Sequence, residues 1–148
     1  MSQITELLSQ DHSACDELFA EAENLVAGKA WPDAASRFGE FRAAMERHLD
    51  AEENTLFPAF EARTGMSGGP TQVMRMEHSQ MRELMEQMQA AVERQNDAAF
   101  LGLSETLLML MRQHNMKEEQ ILYPMTDRTL GGDAALIEQL DEALHAKA

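Results

Sequence analysis

His48 and Glu52 stand four residues apart, and so do His114 and Glu118. On a helix that spacing stacks imidazole and carboxylate on one face about one turn apart, so each pair can address a single metal cluster. His12 and His78 complete a set of four imidazoles and two carboxylates without a thiolate. Such a set suits iron, and manganese or zinc less well. With both carboxylates bridging and two imidazoles on each of two ions, every metal has four protein donors. An oxo or hydroxo bridge then leaves a sixth position for a small molecule. Two ferric ions, the oxo bridge and the two carboxylates together keep two net positive charges, which the nearby acids Asp11, Glu53, Glu77 and Glu119 are placed to offset from outside the ligand set.

The positions of these six residues argue for a shared purpose. Apolar residues recur at alternating steps of three and four, the seam of a helix in a bundle. The first seam reads Leu8, His12, Cys15, Phe19, Ala22, Val26, and the second Phe38, Phe41, Met45, His48, Glu52, Thr55. The third reads Met74, His78, Met81, Met85, Met88, Val92, and the fourth Leu107, Met111, His114, Glu118, Ile121. Every candidate ligand therefore falls on a buried line, where an unpartnered polar group costs about 2 to 7 kcal/mol. A lone histidine on an apolar face is ordinarily a hydrogen-bonded core residue. Four of them at repeated spacing, two followed by a carboxylate one turn on, need a common partner.

Sliding the chain against itself by 66 residues shows the repetition without a gap. Residues 8–58 overlie 74–124, pairing His12 with His78, His48 with His114, Glu52 with Glu118, Glu53 with Glu119, Asp11 with Glu77, Phe57 with Tyr123 and Pro58 with Pro124. Each half reads as a helical hairpin. Two hairpins predict an all-α, antiparallel, up-down four-helix bundle forming one domain over residues 1–148. Breaks are expected at Gly28 to Asp33, with Trp31-Pro32 opening a helix, at Gly65 to Thr71, and at the cap Asn96-Asp97. Gly131-Gly132-Asp133 sets off a short tail helix over about 133–146. Pro58 and Pro124 are expected to end or kink the second and fourth helices, because an interior proline lacks the amide donor and crowds the preceding turn.

Composition narrows the partners. Twenty-six acidic against twelve basic residues give a charge of −14, which repels nucleic acid and anionic membranes. The single cysteine excludes an intrachain disulfide framework and a cysteine-based zinc or iron–sulfur site. No export signal or membrane-length apolar run is visible, so a soluble cytoplasmic protein is expected. Cys15 reads as a small core side chain, the methionines as gap fillers, and Tyr123 as packing, since Phe57 takes its place in the other half. His145, outside the repeat, reads as a surface residue.

The motifs Asp11-His12, His48-Leu49-Asp50-Ala51-Glu52, Glu77-His78 and His114-Asn115-Met116-Lys117-Glu118 resemble the hemerythrin-like family, cation-binding domains in which a His and a His-x-x-x-Glu pattern occur twice. The resemblance spans residues 8–124 and implies a four-helix bundle around a di-iron centre, with the six residues at its ligand positions. Met74 stands where oxygen-carrying members have a further histidine, and Glu118 follows its histidine by four residues. Four histidines with two glutamates resemble instead bacterial proteins of iron–sulfur cluster repair and of nitric oxide and oxidative stress, whose cysteine-bearing N-terminal domain has no counterpart here. The function expected is binding or sensing of oxygen, nitric oxide or peroxide at an open iron position. The alternatives are a di-iron oxidase, peroxidase or repair enzyme, and an iron store or structural metal bundle. No catalytic residue stands out; Asp11 and Glu77 are the nearest acid–base groups. His114→Ala should lose metal and stability whereas His145→Ala should lose neither, as metal analysis and thermal unfolding of both variants will show. Equal metal retention would refute the ligand set.

Overall fold

The computed structural model describes residues 3–146; Met1, Ser2, Lys147 and Ala148, the ends of the expected domain, lie outside the described residues. Helix α1 spans Gln3–Ala27 and α2 Trp31–Ala51. A π-helical turn, Glu52–Leu56, joins α2 to α3, Phe57–Thr64. Helix α4, Pro70–Glu93, leads to α5, Asp97–Lys117. A second π-helical turn, Glu118–Leu122, leads into α6, Tyr123–Leu130, and the chain closes with α7, Ala134–Leu144. Among the described residues there is no strand. The long helices pack as α1 on α2, α2 on α4, α4 on α5 and α5 on α1, the ring of a four-helix bundle.

The repeat legible in the chain is a repeat in space. The α1–α2 turn and the α4–α5 turn each use one residue of positive φ, Lys29 at 55° and Gln95 at 53°. The next amide reaches back across each helix end, Ala30 N to Leu25 O at 3.0 Å and Asn96 N to Ala91 O at 2.9 Å, which satisfies carbonyls the helix leaves open. Asn96 accepts from Ala99 N at 3.1 Å, the expected cap, and Asp133 accepts from Leu136 N at 3.1 Å to open the tail helix in the same way.

The two prolines follow π-helical turns that interrupt the regular helices. Neither chain run ends: α2 and α5 pass through π-helical turns and continue as α3 and α6, with Pro58 and Pro124 in the first turn of each, where a missing donor matters least. The amides of Phe57 and Tyr123 bond five residues back, to the carbonyls of Glu52 and Glu118. Arg75 Nη1 reaches the Glu53 carbonyl at 3.4 Å, five residues before Pro58. The wider turn advances the buried face by one residue. Leu56 and Leu122 are buried where Thr55 and Ile121 were expected, and Ile121 is 58% exposed.

Two apolar layers fill the bundle. One is built on Cys15, Phe19, Phe38, Phe41, Met81, Met85 and Met111, and the other on Ile4, Leu8, Leu56, Phe57, Phe60, Met74, Leu122 and Tyr123. Helix α7 covers the second layer with Leu136, Leu140 and Leu144. The six candidate ligands lie between the layers. No described helix is long and apolar enough to cross a membrane.

The first turn of α1 is capped from across the fold. Asp127 of α6 accepts Ile4 N at 3.0 Å, Thr5 N at 3.1 Å and Thr5 Oγ1 at 2.6 Å, putting a carboxylate on orphan amides at the positive end of the helix. Asp127→Ala should therefore destabilise the fold by about 1 to 2 kcal/mol, read as a lower urea midpoint at unchanged slope. An unchanged midpoint would show that the cap contributes nothing.

Candidate metal centre

His12 on α1, His48 on α2, His78 on α4 and His114 on α5 meet at one level of the bundle, each at most 6% exposed. Glu52 and Glu118, which open the two π-helical turns, are fully buried between them. The carboxylates lie crosswise. Glu52 puts Oε2 3.5 Å from His48 Nε2 and Oε1 3.0 Å from His78 Nε2. Glu118 puts Oε1 3.1 Å from His12 Nε2 and Oε2 3.2 Å from His114 Nε2. Each glutamate thus faces one histidine of each half, the placement of a bridge. Glu52, His78, His114 and Glu118 bring one donor atom each within 4.8 Å of one another, and so do His12, His48 and Glu118.

A ring of outer acids orients the imidazoles. Each Nδ1–H donates to a carboxylate from another helix or turn: His12 to Glu119 at 2.7 Å, His48 to Asp11 at 2.7 Å, His78 to Glu53 at 2.7 Å and His114 to Glu77 at 2.8 Å. These are the four acids singled out from sequence, and under the 66-residue repeat the pairings exchange with one another. A carboxylate on Nδ1 fixes the tautomer and turns the Nε2 lone pair inward. Lys117 Nζ in turn lies 2.5 Å from Glu77 Oε2.

The inner atoms test whether the site suits a cation. Glu52 Oε1, His78 Nε2, His114 Nε2 and Glu118 Oε2 are buried and make no hydrogen bond, although neighbours in this group are 3.0 and 3.2 Å apart. Near as they are, their geometry does not make a hydrogen bond. Four buried donors left in this way are uncommon in a folded chain, and two imidazole nitrogens with two carboxylate oxygens are metal donors by type. The residues fit a metal.

Electrostatics give the same picture from the proton side. Burial alone would lower the pKa of His48, yet the charge of Glu52 and the hydrogen bonds to Asp11 and Glu52 hold it well above the ordinary value. Burial likewise opposes protonation of His78, and Glu52 and Glu53 overcome it, raising the group to about 9. His114 is raised against burial by Glu118. Glu52 is held well below the carboxylate range, its burial outweighed by His48 and His78. In the metal-free chain, protons on imidazoles supply positive charge that the carboxylates require.

Tyr123 belongs to the site, where sequence reading had placed it in packing. Its hydroxyl lies 2.5 Å from Glu52 Oε2, 2.9 Å from Glu118 Oε1, 3.1 Å from His12 Nε2 and 3.3 Å from His48 Nε2. Phe57, its counterpart, stacks on His78 with centroids 5.7 Å apart and offers no donor. The one visible signal was the Phe57/Tyr123 mismatch in an otherwise matching motif. Cys15, as expected, is a buried core side chain, and desolvation pushes its thiol up to about 12, leaving it inert. His145 is exposed just past α7 and bonds back to Asp141 of that helix.

The halves also differ in access. A groove of about 540 Å³ between α1 and α5 reaches His12 and Glu119 past Asp16 and Met111. At the equivalent place Arg82 stands for Asp16, bonding Glu53 at 2.8 Å, Glu46 at 3.0 Å and Asp50 at 3.1 Å. The side chain of Glu119 is 39% exposed and that of Glu53 19%. Arg82 closes the face that Asp16 leaves open.

Comparison with known proteins agrees with this geometry. The family model described as hemerythrin HHE cation binding domain matches residues 3–126. An uncharacterized hemerythrin-like protein of Schizosaccharomyces pombe is 23% identical over 137 residues, covering 92% of this chain and 65% of the relative. The chain thus spans less than two thirds of that protein's length. No solved structure matches the chain. With paired His and His-x-x-x-Glu motifs converging in the core of a helical bundle, the chain belongs to the hemerythrin HHE cation-binding domain family.

Proposed function

We propose that this protein holds two iron ions between His12, His48, Glu52, His78, His114 and Glu118, and binds oxygen, nitric oxide or peroxide at an open iron position in the response to oxidative or nitrosative stress in the cytoplasm. The observation that carries this reading is the set of four buried donor atoms without hydrogen bonds, Glu52 Oε1, His78 Nε2, His114 Nε2 and Glu118 Oε2. Four imidazoles with two carboxylates favour iron over a closed four-ligand structural zinc. Bound iron would supply a Lewis-acidic, redox-active position for a diatomic molecule or peroxide. The protein's own part is to orient the imidazoles through Asp11, Glu53, Glu77 and Glu119 and to keep bulk water out with two apolar layers.

Iron loading of the full chain followed by metal analysis should give two irons per chain, and adding azide or nitric oxide should change the visible spectrum. Fewer than one iron per chain would overturn the di-iron centre. Two irons with no spectral response to either probe would overturn the open position and leave a store or structural bundle.

The protonated histidines set a pH dependence. His78 moves from an ordinary 6.5 to about 9 in the metal-free fold, so its stabilisation is complete below pH 6.5 and lost as pH climbs through 9. The lowered carboxylates titrate at more acid pH and do not affect this window. Metal-free protein should melt at progressively lower temperature from pH 6.5 to about 9. Iron affinity should rise over the same interval because proton and metal compete for Nε2. Thermal unfolding in chelator and iron titration at several pH values will measure both. A metal-free melting temperature that climbs steadily through the window would contradict the ion pairing.

A further inference from the structure

The two sides of the centre are not equivalent. The chain has a single tyrosine, and its hydroxyl stands among His12, His48 and one oxygen each of Glu52 and Glu118. Metal–donor bonds of about 2.1 Å place adjacent vertices of an octahedron about 3.0 Å apart. The hydroxyl of Tyr123 lies 2.5, 2.9, 3.1 and 3.3 Å from Glu52 Oε2, Glu118 Oε1, His12 Nε2 and His48 Nε2. These separations scatter about that edge length, so the hydroxyl stands where a further donor to the same metal would stand. A side chain merely filling space would not need its oxygen within 3.3 Å of four metal-type donors at once.

From this we propose that Tyr123 is a fifth protein ligand to the metal held by His12 and His48, bound through its phenolate oxygen. On coordination the O–H bond breaks, a metal–oxygen bond forms and the proton leaves to solvent, with no change of oxidation state. Beside His78 and His114 the matching residue is Phe57, whose ring stacks on His78 and offers no donor, so the other metal would keep four protein donors. With a shared bridge, Tyr123 completes six donors on the first metal. The open position for a small molecule then falls on the second. This inference rests on the di-iron reading and assigns unequal roles within it.

Ferric phenolate has a charge-transfer absorption in the visible, and excitation into it enhances the ring vibrations of the coordinated tyrosine. Iron-loaded protein should show both, and protein grown on ring-deuterated tyrosine should shift those vibrations, an assignment that a single tyrosine makes unambiguous. Tyr123→Phe should retain two irons per chain, since Phe57 already occupies the matching place in the other half, and should lose the band and its ring vibrations. Two irons in the native chain without phenolate vibrations would overturn the ligand role while leaving the di-iron centre standing. A band of equal intensity in Tyr123→Phe would overturn it too. Failure to hold iron at all would overturn both readings.

Discussion

Charge neutralisation inside an apolar bundle is the constraint on which the rest depends. Glu52 and Glu118 are fully buried, and four imidazoles buried nearly as deeply surround them. Isolated charges in that setting would each cost several kcal/mol, and replacing any one partner leaves the others exposed to that penalty. The metal-free chain meets the constraint with protons, raising His48, His78 and His114 and lowering Glu52. A cation would meet it with the same atoms, because proton and metal address the same nitrogen lone pairs. The outer acids complete the arrangement by holding each ring in one tautomer.

Backbone geometry serves the same end. Glu52 and Glu118 each sit at the start of a π-helical turn, a feature that often accompanies functional sites. The wider turn lets consecutive acids serve two roles. Glu52 faces the centre while Glu53 reaches His78 from outside, and Glu118 and Glu119 do the same toward His114 and His12. The prolines that follow fall in the first turn of α3 and α6, where their missing amide fits a register already changed.

Duplication supplies the frame, and departures from it supply direction. Tyr123 against Phe57 gives one half an oxygen donor where the other has a hydrocarbon ring. Asp16 against Arg82 leaves one flank grooved and closes the other. The two halves of the centre, alike in residue type, thereby differ in their neighbours and in reach from solvent.

Periodicity and repetition determined much of this protein by themselves. The seam spacing predicted the helices, the 66-residue offset predicted two hairpins, and His12, His48, Glu52, His78, His114 and Glu118 stood out because buried polarity at fixed intervals is rare. Asp11, Glu53, Glu77 and Glu119 were legible as companions by adjacency, but not which histidine each would hold, since those partners come from other helices or turns. Only the tertiary structure decided that the buried line shifts from Thr55 to Leu56 and from Ile121 to Leu122, because a π-helical turn breaks the 3.6-residue period on which the seam was drawn. It alone decided that Tyr123 points into the centre and that Arg82 shuts one flank. A side chain's type and its helical face are local properties of a sequence; the distance from a hydroxyl on α6 to imidazoles on α1 and α2 is set by how the helices pack.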